Sequence, residues 1–239
     1  MQPSGRGYDH GVSTFSPDGR LYQVEYARES VKRGTTTVGL KYRDGIVLIV
    51  DKRISSKLIN VDSIEKMYKI DEHIGFTTSG LVADARQLVD RARVTCQINK
   101  ITYADPIPVT TLVKKMCDHM QSFTHYGGAR PFGTALLIAG VDPDGIHLYE
   151  TDPSGAYQSD QAGAIGRGRS TVVEIFESSW KPNLTLNAAI KLGLEALRES
   201  LEEELNTDAV EIAVVDSDGY HKMSKDNTLK HIGKLKPLE

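Results

Sequence analysis

Apolar side chains recur along this chain at two spacings, and each spacing predicts a different element. Leu21, Val24, Arg28 and Val31 follow one another at three- and four-residue steps, with no Pro or Gly before Gly34. That spacing predicts a short helix over residues 20–32, introduced by the turn chemistry of Ser16-Pro17-Asp18-Gly19. A helix this short is not stable alone, so it must lie on another part of the molecule. Residues 36–42 and 46–51 read as two strands joined at Arg43-Asp44-Gly45, and the unbroken run Ile46-Val47-Leu48-Ile49-Val50 predicts a strand covered on both faces. A second strand pair is expected at 67–70 and 73–78. Helical spacing returns at 81–103 through Ala85, Leu88, Val89, Ala92, Cys96 and Asn99, and ends before Asp105-Pro106. A further helix is expected at 109–125. Strands follow at 133–141 and 146–151, and a third at 156–162. Two helices are expected at 169–180 and 186–204, the latter capped by Thr185. A strand at 210–216 closes the pattern, and the Lys-rich residues after it read as peripheral.

Hairpins grouped between pairs of helices point to packed antiparallel sheets covered by helices, an α+β arrangement, and away from a doubly wound parallel sheet. Residues 1–34 form an N-terminal segment with few apolar side chains at its start, expected to be mobile unless partners pin it, followed by the helix. Residues 35–239 read as one domain. With 239 residues, 39% hydrophobic and 26% charged, the chain is long enough to bury a core. A net charge of −3 gives no general attraction to nucleic acid. No apolar run approaches the ~18 residues of a membrane span. Cys96 and Cys117 lie inside helical patterns without metal or redox spacing, so they read as reduced core residues of a cytoplasmic protein.

Gly163-Ala164-Ile165-Gly166-Arg167-Gly168-Arg169-Ser170 falls between a strand and a helix, where phosphate loops occur, but its spacing is that of a tight turn rather than G-x-G-x-x-G. His119 and His125 are six residues apart and do not share a helix face, so no metal site is expected. On composition Lys66, beside Glu65, reads as a solvated charge. Asp51, which precedes Arg53 by two residues, reads as half of a structural ion pair.

Separate blocks carry a family resemblance. Tyr8-Asp9, Phe15-Ser16-Pro17-Asp18-Gly19-Arg20 and Gln23-Val24-Glu25-Tyr26-Ala27 are similar to the N-terminal region of proteasome α subunits, most of all the archaeal form. Ser79 to Arg86, Tyr126 to Gly133 and Tyr149 to Gly155 agree with it in order. The resemblance implies the four-layer αββα sandwich of the N-terminal-nucleophile hydrolases with an extra N-terminal helix. It also implies a non-catalytic subunit of the 20S core particle, with no cofactor and no metal. Seven copies would form an outer ring, stacked on a ring of β subunits that carry the peptidase sites. Tyr8, Asp9, Pro17 and Tyr26 match the family's gate positions. Lys66, Gly34, Gly80 and Leu81 match a pocket that takes the C-terminal tails of an activating AAA+ ATPase. Tyr126, Gly127, Gly128, Ala129 and Arg130 match the loop lining the axial channel, through which unfolded protein substrates pass.

The same resemblance raises an alternative. Gly34-Thr35 looks like the processing site of a catalytic β-type threonine peptidase, and Asp51 and Lys66 follow Thr35 by 16 and 31 residues, close to the positions of that enzyme's acidic and lysine partners. The mechanism needs a free α-amine on Thr35, whose pKa of about 8 makes it a base at neutral pH. In the uncut chain that nitrogen is an amide.

Overall fold

The structure is a computed structural model that describes residues 11–53, 58–201 and 205–235. Tyr8 and Asp9 therefore lie outside the described residues. Helix α1 (Tyr22–Arg33) is followed by β1 (Thr37–Tyr42), β2 (Gly45–Asp51), β3 (Met67–Asp71), β4 (Ile74–Gly80), α2 (Val82–Tyr103) and α3 (Val109–Ser122). Strands β5 (Thr134–Asp142), β6 (Gly145–Thr151), β7 (Tyr157–Ser159) and β8 (Ala162–Ile165) come next, then α4 (Arg169–Ser179) and α5 (Leu186–Leu201). The described chain closes with β9 (Val210–Asp216), β10 (Gly219–Lys222) and α6 (Lys225–Ile232).

Two five-stranded sheets, ordered β10-β9-β2-β1-β8 and β3-β4-β5-β6-β7, are antiparallel throughout and face each other. Strand β2 is buried at every position, as its apolar run requires. Ile46, Leu48 and Val50 enter the layer between the sheets with Leu137, Ala139, Leu148 and Val215. Val47 and Ile49 point the other way, among Leu40, Ile190 and Leu194. Each such side chain contributes about 1.5–3 kcal/mol by leaving water. On the outer face of the second sheet, Leu88, Val89, Ala92 and Cys96 of α2 and Leu112, Met116 and Met120 of α3 pack on Phe76, Leu136 and Ile138. Val172 and Phe176 of α4 and Ala189, Ile190 and Leu194 of α5 cover the first sheet. The result is the four-layer αββα sandwich, with α1 added at one end of the strands.

Three expectations change. The strand expected over 156–162 is two strands in different sheets: β7 pairs with β6, and β8 pairs with β1. Asp160 and Gln161 carry the chain across, with Asp160 N–H donating to Leu148 O (2.9 Å) and Lys41 N–H donating to Gln161 O (2.8 Å). Period-two alternation records that a segment is extended but not which sheet receives it. Helix α3 stops at Ser122 rather than 125, because the Ser122 and Thr124 hydroxyls take the carbonyls of His119 and Gln121, both at 2.7 Å. The residues after 216 form an edge strand, β10, and helix α6, whose N-cap Ser224 accepts from Asn227 N–H. Their few apolar side chains gave the sequence pattern nothing to follow. The Thr185 cap forms as expected, accepting from Ala188 N–H at 3.3 Å.

Candidate functional site

Helix α1 lies across the ends of β4 and β5, with Val24, Ala27 and Val31 buried beneath it. Arg28 fixes it at mid-length: Nε donates to Asp152 Oδ2 (2.8 Å), Nη2 to Oδ1 (3.0 Å), and Nη1 to Glu25 (2.8 Å). Burial pushes the Asp152 carboxyl up, but the bonds from Arg28 and Ser154 outweigh it and hold the group below its usual range. Ser30 Oγ donates to Gly133 O at 3.2 Å. Ahead of the helix, the Pro17 turn closes through Gly19 N–H to Ser16 O (2.8 Å), and Gly19 takes φ +74°. Tyr26 is half exposed, and its ring stacks on Tyr22 with centroids 6.4 Å apart.

The helix ends at Gly34, and the next peptide is held from several sides. Gly34 O accepts from Arg167 N–H at 3.0 Å, and Thr35 O accepts from Ser79 Oγ at 3.1 Å. The Thr35 hydroxyl donates to the Asp51 main-chain oxygen and accepts from Lys66 Nζ. Thr35, Asp51 and Lys66 are therefore brought together, but the Asp51 carboxylate turns away to Arg53, taking its N–H at 3.0 Å and its Nε at 3.1 Å. The ion pair read from spacing exists. The solvated-charge reading of Lys66 does not hold: the side chain is half-buried, and burial lowers its pKa while nearby Asp51 opposes that shift. Chemically, the cluster offers an oriented hydroxyl and an ammonium, but Thr35 nitrogen is a peptide amide and accepts no proton.

The other residues expected at the tail pocket adjoin this cluster. A side chain on Gly34 would collide with Ser79 Oγ and come within 2.6 Å of Gly80 N. Gly80 has φ +111°, and a Cβ there would run into the Gly133 carbonyl oxygen. Leu81 donates its N–H to Gly133 O at 2.9 Å and leaves its side chain 44% exposed. Gly34, Gly80 and Leu81 thus form one contiguous wall, linked to Lys66 through Thr35.

The loop from Tyr126 behaves differently along its length. Tyr126 is exposed, Gly128 takes φ +85°, and open space surrounds Gly127 and Gly128. Ala129 is partly buried. Arg130 folds back, making a two-pronged pair with Asp84 at 2.6 and 2.8 Å, and Asp84 also accepts Gly133 N–H at 2.8 Å. Sequence reasoning placed Asp84 within a motif without giving it a task, and an acid at the start of a helical pattern was the available signal. Burial raises the Asp84 pKa, but Arg130 and the Gly133 N–H lower it further, so it lies below its usual value. A depressed carboxylate contributes stability above its unfolded pKa of about 3.9 and loses it as pH falls through the folded value. Asp84→Asn is therefore expected to lower Tm by a few degrees at pH 7, with the gap from the parent closing below about pH 4. Thermal unfolding of both proteins across that range is the check.

Comparison with known proteins bears on the whole of this arrangement. A profile described as "Proteasome subunit" matches residues 31–215, and a second, describing the N-terminal signature of A-type proteasome subunits, matches residues 8–29. The proteasome alpha subunit of Methanoregula boonei is 55% identical over 99% of this chain and 100% of its own length. That of Methanosarcina acetivorans is 58% identical over 87% of this chain and 85% of its own, and that of Methanopyrus kandleri 55% identical over 94% and 92%. The chain belongs to the proteasome α-subunit family. The glycine loop before α4 serves close packing. Gly166, at φ +95°, lies against the Thr35 carbonyl, and Gly168 N–H donates to Thr36 Oγ1 at 2.9 Å. Among the described residues, no helix is long and apolar enough to cross a membrane.

Proposed function

We propose that this chain is a non-catalytic subunit of the 20S core particle, forming an outer ring of seven copies that controls access to peptidase sites on a stacked ring of β subunits. The observation that carries the reading is helix α1, held across the ends of the strands by Arg28 and Asp152 and running straight into Gly34 and Thr35. While the bond from Gly34 is uncut, Thr35 lacks the amine that nucleophilic attack requires. Helix α1 occupies the end of the sandwich where a processed chain would expose that residue. Residues 1–12 of all copies converge on the ring axis and obstruct it, with Tyr8, Asp9, Pro17 and Tyr26 setting the closed and open arrangements. The loop from Tyr126 to Gly128 borders the channel, while Arg130 braces it through Asp84. C-terminal tails of an AAA+ ATPase dock beside Lys66, Gly34, Gly80 and Leu81, and shift the gate only as far as they bind its open form better. Several weak tails acting together give that shift. Unfolded proteins in the cytoplasm are the substrates in transit.

Deleting residues 2–12 is expected to raise hydrolysis of an unstructured peptide by the assembled α–β particle several-fold in the absence of ATPase. Unchanged rates would count against the gate. The assembled Thr35–Lys66 contact favours a second reading, a threonine peptidase precursor. It requires a mature chain beginning at Thr35, which N-terminal sequencing of the working particle would detect.

A further inference from the structure

We infer that Thr35 is a positioning residue that holds the Lys66 ammonium ready for the terminal carboxylate of a docking partner. The inference rests on the tail-docking reading above and adds a residue to it. A threonine hydroxyl carries one hydrogen and can both donate and accept. Here its hydrogen is committed, because Oγ1 donates to the Asp51 main-chain oxygen. The remaining lone pairs then face Lys66 Nζ, which donates to them. The hydroxyl therefore has a fixed polarity, a lone pair aimed at an ammonium, and cannot turn its proton toward the lysine without losing the Asp51 bond.

Two further features make this contact more than incidental packing. Lysine is a long, flexible side chain that loses rotamer entropy when held in one place. A contact that fixes it before the partner arrives removes that loss from the binding step. The base of the lysine is also fixed, since Thr78 N–H donates to Lys66 O at 3.1 Å. Both ends of the side chain are thus held, at the backbone by β4 and at the tip by Thr35. The ammonium has three hydrogens, and the Thr35 bond uses one. The Asp51 carboxylate, the nearest acid acting on Lys66, is occupied by Arg53 through both oxygens and does not claim the others. Beside Thr35 the wall is close-packed backbone at Gly34 and Gly80, where any Cβ would collide, and Leu81 next to it is 44% exposed. A carboxylate arriving along that wall meets a charged donor already in position, and a carboxamide of the same shape can accept a hydrogen bond there but brings no opposite charge to the ammonium.

The test uses the assembled α–β particle and a fluorescein-labelled decapeptide copied from the C-terminus of its ATPase, made with a free carboxylate and as the C-terminal amide. Fluorescence anisotropy gives the preference for carboxylate over amide. The parent particle is expected to prefer the carboxylate about 10-fold or more. Thr35→Val keeps the shape but offers no acceptor, and should reduce the preference to about 1–3-fold. Thr35→Ser restores the acceptor and should recover most of it. If the valine variant does not assemble, Thr35→Ala, which only removes atoms, carries the same expectation. Full preference in the valine or alanine variant, together with its loss in Lys66→Ala, would overturn the role of Thr35 and leave tail docking standing. Full preference in Lys66→Ala would overturn the docking reading and this inference with it.

Discussion

Alanine at position 80 is expected to lower the Tm of this protein by roughly 10 °C. Gly80 sits at the end of β4 with φ +111°, a backbone conformation that residues with a side chain adopt only under strain of about 1–3 kcal/mol. A Cβ at that position would also collide with the Gly133 carbonyl oxygen and lie 3.0 Å from Thr134 Cα, both in the backbone leading into the paired strand β5. No side-chain rotation relieves a clash with backbone, so overpacking adds about 1–3 kcal/mol. Together these reach about 2–6 kcal/mol, and each kcal/mol shifts Tm by about 2–4 °C in a domain of this size. Gly127→Ala is the matched control. It adds the same methyl group where nothing lies within 4 Å, and is expected to move Tm by a degree or two at most. Scanning calorimetry of the two variants separates a backbone requirement from a general dislike of substitution. Equal Tm values would show that the Gly80 junction yields easily.

Removing the Lys52 side chain is expected to cost about 3–5 kcal/mol, the usual consequence of stripping one partner from a buried ion pair. Lys52 is only 3% exposed, yet it carries a charge that donates to Glu211 (2.8 Å) and to the Ile64 carbonyl (2.9 Å). In Lys52→Ala, Glu211 keeps Lys222, also at 2.8 Å, while Ile64 O loses its bond from the Lys52 ammonium. Lys52→Met retains the volume and should lose less, because the cavity is filled even though the carbonyl is not answered. The loss has a local signature. Ile64 stands two residues before Lys66, so the Lys52 bond ties the stretch leading to Lys66 down to β2 and β9. Hydrogen exchange in the alanine variant should accelerate over residues 58–66 more than in the outer helices. Uniform acceleration would mean that the pair supports the fold as a whole and not that stretch.

Where the pattern of apolar residues was dense, the fold could be read directly. The two-sided burial of β2 and the inward face of α2 follow from period and composition, and the layered class follows from the order of elements. Long-range polar contacts were not legible in the same way. Arg28 and Asp152 are 124 residues apart, and Asp84 and Arg130 are 46 apart. Nothing local in either partner tells which of many charges it will meet. Thr35 and Lys66 were linked by spacing borrowed from a related enzyme, and the contact is present, although the Asp51 carboxylate of that set serves Arg53 instead. Arg130 was assigned to a channel loop by resemblance, and its guanidinium is committed to Asp84. The crossing at Asp160 was hidden because two short extended runs separated by two residues look like one.

The twelve residues of α1, at 1.5 Å per residue, make a rod about 18 Å long. One end abuts the glycine wall at position 80, and the other begins just past the Pro17 turn. Such a rod converts rotation into displacement: a tilt of about 3° about its Gly34 end would carry the Pro17 turn about 1 Å. Arg28 grips Asp152 between the two ends, and with the pivot there the same tilt would carry the turn only about half as far, since the arm to Tyr22 is about 9 Å, so the position of that grip sets the gearing.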